Sequence, residues 1–157
     1  MAEEIKPLKK TIKEKVLIGR REEVDLPELH LYNVPSKIDT GAYTTALHCI
    51  DIYELREGKE KILCFKLMDP SHPMFTNEEI QVKTYTRRKI KNSFGQLEKR
   101  FIIKTAIVLA GKEIITEVSL SDRSNLKLPI LIGRRLLSKG FIVDVTKVNL
   151  TGKLKNK

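Results

Sequence analysis

The chain has 157 residues, enough for one domain with a sizeable core. Hydrophobic residues make up 41% and Trp is absent, so the core must be aliphatic; no apolar run reaches 18 residues, which excludes a spanning helix. Thirty Lys and Arg against 20 Asp and Glu give a formal charge of +10, a balance that favours acidic partners over basic ones. Residues 1–15 are charged and lack aromatics, and they read as a loosely ordered arm before a domain over 16–146 and a basic tail over 147–157. Met1-Ala-Glu-Glu-Ile-Lys has no apolar stretch of the secretory kind, and Cys49 and Cys64 are too few for a disulfide framework. A reducing cytoplasm is the expected location.

In chain order, Val16-Leu-Ile predicts a short strand, Leu26-Pro-Glu-Leu an extended segment, and Val34 to Ile38 a strand leading into Asp39. Ile50–Leu55 and Lys61–Leu67 predict a hairpin around Arg56-Glu-Gly-Lys; Leu63, Phe65 and Leu67 alternate at the period of a half-buried strand. After the loop Asp69-Pro-Ser-His-Pro, Glu79–Lys91 and Leu97–Leu109 read as two long β segments joined at Asn92-Ser-Phe-Gly-Gln. On the first arm Lys83, Tyr85, Arg87, Lys89 and Lys91 would share one face. Glu113–Leu120 and Leu128–Ile132 continue the β pattern. Arg134–Lys139 suits one short helix with Gly140 as its left-handed cap, and Phe141–Val145 is a last strand. The fold class is mainly β: a closed barrel with one short C-terminal helix.

Charge is concentrated in the central hairpin. Eight basic residues from Lys83 to Lys104 face a single acid, Glu98. Two readings stay open: a surface that holds an acidic partner, or edge strands protected by Lys and Arg from aberrant pairing.

The chemistry centres on Ile38-Asp-Thr-Gly-Ala. Glycine permits the tight turn and brings its N–H to a carboxylate oxygen, while the Thr40 hydroxyl can bond to nearby backbone. Two such acids about 3 Å apart repel by roughly 5 kcal/mol at an effective dielectric near 20. At 1.36 kcal/mol per unit, their titrations split by about four units, so the pair holds one shared proton. The ionised member can then take a proton from water while the protonated member donates to the carbonyl of a scissile amide.

This segment resembles the active-site strand of retropepsin-like aspartic proteases. Ile130-Leu-Ile-Gly-Arg-Arg-Leu-Leu, followed by Gly140-Phe-Ile-Val-Asp, resembles their second signature, an apolar strand that passes behind the active-site loop. Over Val16–Asp144 the chain resembles the bacterial and archaeal family labelled "ATP-dependent zinc protease". The matching segments include Ile18-Gly-Arg-Arg-Glu, Lys37-Ile-Asp-Thr-Gly-Ala, Thr45-Ala-Leu-His, Arg100-Phe-Ile-Ile-Lys-Thr and Leu120-Ser-Asp-Arg. The resemblance implies a homodimer that builds one site from two chains. Asp39 would be the catalytic acid, with Thr40 and Gly41 as its supports and Ala42, Leu131, Ile132 and Gly133 bracing the loop. In such folds a central hairpin covers the cleft, which would bring Arg87, Arg88, Lys89, Lys91 and Arg100 near a peptide substrate, acidic or glutamate-rich. Arg123 and Arg134 are further substrate contacts, or structural partners of Glu22 or Asp122. Tyr43 and Arg135 depart from the usual family residues at their positions.

Neither half of the "ATP-dependent zinc" label finds a motif. His30, His48, His72, Cys49 and Cys64 lack metal-site spacing, and no Gly-x-x-x-x-Gly-Lys-Ser/Thr occurs, so no metal and no cofactor is expected. The family's link to ATP lies in an associated ATP-grasp ligase that adds glutamates to a ribosomal protein. Two rivals remain: a non-catalytic module for acidic proteins or peptides, and an RNA-binding protein. Five Phe and four Tyr without a stacking motif make nucleic acid the weaker of these, and no membrane role is indicated.

Overall fold

The computed structural model describes residues 14–92, 94–124 and 127–152. The expected arm at 1–15 falls almost wholly outside them. Eleven strands form among the described residues: β1 (Val16–Ile18), β2 (Arg21–Leu26), β3 (Leu31–Ile38), β4 (Thr45–Glu57), β5 (Glu60–Leu67), β6 (Glu79–Val82), β7 (Thr86–Lys91), β8 (Leu97–Leu109), β9 (Lys112–Ser121), β10 (Ile130–Ile132) and β11 (Phe141–Val143). Helix α1 spans Arg134–Leu137. The chain is mainly β, as its alternating pattern requires.

Six strands pair in the circular order β10, β3, β2, β8, β9, β4 and back to β10. The β2–β8 seam is a single residue pair, Asp25 with Val108, so the expected closed barrel is a partial ring. Strands β5 and β6 extend the ring from β4, and β7 extends it from β8. Strands β1 and β11 form a separate parallel pair. Inside the ring lie Val24, Leu26, Val34, Leu47, Phe65, Ile107, Ile130 and Ile132, all buried. Full burial of side chains of this size stabilises by about 1.5–3 kcal/mol each. No helix among the described residues is long and apolar enough to cross a membrane.

The structure corrects several expectations. Pro27–Leu29 is a 3-10 turn rather than an extended segment, because Pro27 presets the first helical dihedral. The segment Glu79–Lys91 is not one strand. Residues 83–85 lie outside both β6, which pairs with β5, and β7, which pairs with β8. Lys83 therefore leaves the face expected for it and bonds Glu60 at 3.3 Å, while Tyr85 packs edge-on against Phe101. Gly140 has a φ of +127°, which favours glycine but lies outside the left-handed helical region expected of a cap.

Strand β2 was hidden in the sequence by its charges. It buries Glu22 along with Val24 and Leu26. The Glu22 carboxylate accepts three backbone N–H bonds, from Gly19 (2.6 Å), Leu150 (3.1 Å) and Thr151 (2.9 Å). Such bonding meets the cost of burying a charge. Glu22 thus holds residues 150–151 against the ring and is not the arginine partner suggested above.

Candidate active site

Asp39 follows the last residue of β3, and its place is set by backbone. Strand β10 runs parallel to β3 and antiparallel to β4, entering between the two strands that flank the Asp39–Thr44 loop. Asp39 N–H donates to the Ile132 carbonyl at 2.9 Å. Just beyond β10, the N–H groups of Arg134 and Arg135 donate to the carbonyls of Ala42 (2.7 Å) and Tyr43 (3.0 Å). Gly133 N–H donates to the buried Thr45 hydroxyl at 3.1 Å. A Cβ at Gly133 would lie 2.6 Å from the Tyr43 carbonyl oxygen and 2.8 Å from the Thr44 carbonyl carbon. That close approach is why glycine stands here.

The side chain is oriented just as locally. Gly41 N–H donates to Asp39 Oδ1 at 2.9 Å, and Ala42 N–H to the Asp39 carbonyl at 3.3 Å. Thr40 is exposed and engages through its carbonyl oxygen, which accepts from Arg134 Nη1 at 3.1 Å. The Arg134 guanidinium also lies 5.8 Å from the centre of the Tyr43 ring. The carboxylate is partly exposed, at the boundary of two clefts.

The first cleft, about 470 Å³, is lined by Asp39, Tyr43, Lys91, Arg100, Arg123 and Arg134 among others. The second, about 480 Å³, places Arg20, Arg21, Lys37 and Lys127 beside Asp39 and Arg123. Asp39 is the lone acid among the residues that line either cleft. Burial, with Arg100 nearby, pushes the Arg123 pKa below its ordinary value, while Asp39 draws it back up. Arg123 Nε is buried and finds no acceptor among the described residues.

The residues named from sequence thus divide. Asp39, Gly41, Ala42, Leu131, Arg123 and Arg134 converge at the clefts, with the buried Ile132 and Gly133 behind them and the exposed Thr40 beside them. Arg87 and Arg88 sit elsewhere: Arg87 bonds Glu54 at 3.3 Å and stacks 4.9 Å from the Phe101 ring centre, while Arg88 pairs with Glu117. Glu117 also pairs with Arg135, the residue that departs from the family pattern. Arg88, chiefly, and Arg135 hold the Glu117 carboxyl below the usual range. This triad ties β7 to β9 and to α1.

Sequence reasoning missed Thr45, the second cleft's four basic residues and the contacts of His48, whereas Arg100 and Lys91, expected on the covering hairpin, do line the first cleft. His48 is buried, its Nε2 lies 2.5 Å from Asp69 Oδ2, and its Nδ1 accepts the Arg123 N–H at 2.8 Å. Cys49 is also buried, which raises its thiol pKa and makes it a poor nucleophile. No group of three or more metal-ligating side chains gathers among the described residues.

The comparisons with known proteins agree with this arrangement. Residues 17–153 match the model of a family described as "Retropepsin-like aspartic endopeptidase RimB". Among curated relatives, a "Probable alpha-L-glutamate ligase" of Shewanella halifaxensis is 31% identical over 134 residues, covering 83% of this chain. A protein of the same name from Desulfotalea psychrophila is 30% identical over the same share. The chain spans only 28% of the length of these relatives. A crystal structure from Legionella pneumophila, of protein Lpg0085 "with unknown function", shares the fold with a TM-score of 0.68 at 24% identity. It covers 87% of this chain and 98% of that one. With the family match extending over most of the sequence, and Asp-Thr-Gly braced by Ile-Leu-Ile-Gly in space, the chain belongs to the RimB-like family of retropepsin-like aspartic endopeptidases.

Proposed function

We propose that this protein is a cytoplasmic aspartic endopeptidase that works as a homodimer on acidic, glutamate-rich peptides. The observation that carries the reading is the setting of Asp39: a carboxylate oriented by the Gly41 N–H, locked to β10 through its own N–H, and open to clefts of opposite charge. The sequence holds a single Asp-Thr-Gly, and in this reading the second acid comes from a two-fold-related copy. In that dyad one carboxylate takes a proton from water as the water oxygen bonds to the scissile carbonyl carbon. The other gives its proton to the carbonyl oxygen. Collapse of the tetrahedral intermediate breaks the C–N bond, and the amine leaves with a proton.

The basic lining supports the substrate class. Arg100 and Arg123 in the first cleft, and Arg20, Arg21, Lys37 and Lys127 in the second, offer charge-assisted hydrogen bonds to side-chain carboxylates on either side of the scissile bond. The printed name of the relatives, a glutamate ligase, points to glutamate-bearing peptides as well. Arg100 belongs to the hairpin expected near the substrate, while Arg87 and Arg88 on the same hairpin are paired with Glu54 and Glu117.

A second reading, a non-catalytic module for acidic segments, draws on the same lining and needs no dimer. Asp39→Asn separates the two. It should lower hydrolysis of a quenched-fluorescent peptide containing a glutamate run by about a thousandfold or more, with circular dichroism unchanged. Cleavage by Asp39→Asn at the parent rate would remove Asp39 from the chemistry. Loss of cleavage with peptide binding retained is the peptidase outcome; a parent chain that binds without cleaving is the module outcome.

A further inference from the structure

His48 holds both ends of the segment that connects β9 to β10. Its backbone N–H donates to the Pro129 carbonyl at 2.8 Å, one residue before β10 begins. Its ring accepts the Arg123 N–H at 2.8 Å, two residues after β9 ends. Because Nδ1 is an acceptor there, the ring proton must sit on Nε2, where it donates to Asp69. Asp69 is fixed in turn by the Ser71 hydroxyl (2.5 Å) and backbone N–H (2.8 Å), and these bonds, with His48, hold its pKa at about 2. The other charged group facing the ring is Asp122, 3.9 Å from Nδ1 and itself bonded to the Ser124 N–H and hydroxyl.

We propose that His48, backed by Asp69, is a positioning residue that fixes Arg123 beside Asp39 and so sets the cleft's affinity for a carboxylate-bearing peptide. The chain of contact runs Ser71, Asp69, His48, then the Arg123 backbone, and ends at a guanidinium whose Nε is buried in the cleft wall without an acceptor among the described residues. An arginine half-removed from water binds a carboxylate well only if its backbone is already in place, since ordering it on binding would cost affinity. His48 supplies that order from within the core, and Asp69 selects the tautomer that can do so. The proposal rests on the reading of the Asp39 cleft as the substrate site.

Two substitutions divide the histidine's functions. In His48→Asn the amide oxygen can stand near the position of Nδ1 and keep the Arg123 bond while the link to Asp69 is lost. In His48→Gln the amide reaches toward Asp69 but leaves the Arg123 N–H without its acceptor. Binding of hexaglutamate to the full chain, read by calorimetry, should weaken about tenfold in His48→Gln and in Arg123→Ala, and less than threefold in His48→Asn. Nitrogen-15 spectra should show His48 protonated on Nε2 alone, and the Arg123 amide resonance should shift in His48→Gln while holding its place in His48→Asn. Equal effects of Asn and Gln on the Arg123 amide, or a His48 ring protonated on Nδ1, would overturn the proposal. A parent chain that binds no hexaglutamate would overturn the affinity role whatever the resonances show, and neither readout depends on cleavage. A chain that fails to hydrolyse peptides yet shows the Asn–Gln split refutes the peptidase reading and leaves the positioning role standing.

Discussion

The loop that carries Asp39 and the hairpin formed by β7 and β8 flank the same cleft but are held by different forces. The loop is stitched to β10 and α1 by backbone hydrogen bonds, with Gly133 pressed against the carbonyls of Tyr43 and Thr44. The hairpin places like charges opposite one another, Arg88 across from Arg100 and Lys89 across from Lys99. Cross-strand repulsion of that kind destabilises. Carboxylates offset it: Glu98 binds Arg100 at 2.9 Å, Glu54 binds Arg87, and Glu117 bridges Arg88 and Arg135. The Asp39 loop is thus held by backbone, and the hairpin beside it by charge. The loop should be indifferent to salt and mild acid; the hairpin should not.

Gly133→Ala tests the rigid side and carries the largest expected effect. Its Cβ meets backbone that cannot yield, and overpacking of this sort costs about 3 kcal/mol, to be read from urea unfolding. A loss under about 0.5 kcal/mol would mean that the loop is looser than the geometry shows. Glu117→Gln tests the other side. It should cost about 1 kcal/mol and speed hydrogen exchange in β7 while leaving the Asp39–Thr44 amides unchanged. Because Arg88 and Arg135 depress the Glu117 pKa in the folded state, its contribution is complete above the ordinary Glu value near 4.3 and is lost as pH falls through the lower folded value. The acid-induced rise in β7 exchange that Glu117 contributes should therefore be absent in Glu117→Gln, whose β7 already exchanges faster at neutral pH. Arg87→Ala removes a half-exposed ion pair and a ring contact, and its cost should stay within about 0.5 kcal/mol. Phe94→Ser should not change stability measurably, since Phe94 is 89% exposed at the hairpin turn.

How much of this was legible in the sequence followed the range of the interactions. Asp39 and Gly41 could be named because their turn leaves its mark in adjacent residues, whereas Gly133, whose close approach is to the distant Tyr43 and Thr44, was named through the resemblance of Ile130–Leu137 to the family's second signature. The hairpin arms could be named from alternation. The break at residues 83–85 could not, because alternating charged and aromatic residues continue across it while the pairing partner changes from β5 to β8. Strand β2 was missed because its inward positions include Glu22, a charge whose donors lie at both ends of the described chain. The His48 contacts span 21 residues to Asp69 and 75 to Arg123, and no window of sequence holds all three. The pairings of Arg87 and Arg88 were illegible for a related reason. Their charge is visible in sequence, but their partners, Glu54 and Glu117, come from strands before and after them.

The central claim, that Asp39 acts beside its own symmetry copy, is tested most directly by oxidative cross-linking of Asp39→Cys. Cys49 and Cys64 are both buried and do not compete for the reaction. A covalent dimer on a non-reducing gel, lost on reduction and absent from the parent chain, is the predicted result. A chain that stays monomeric on the gel while native mass measurements show either a monomer or a dimer would contradict the paired-acid mechanism.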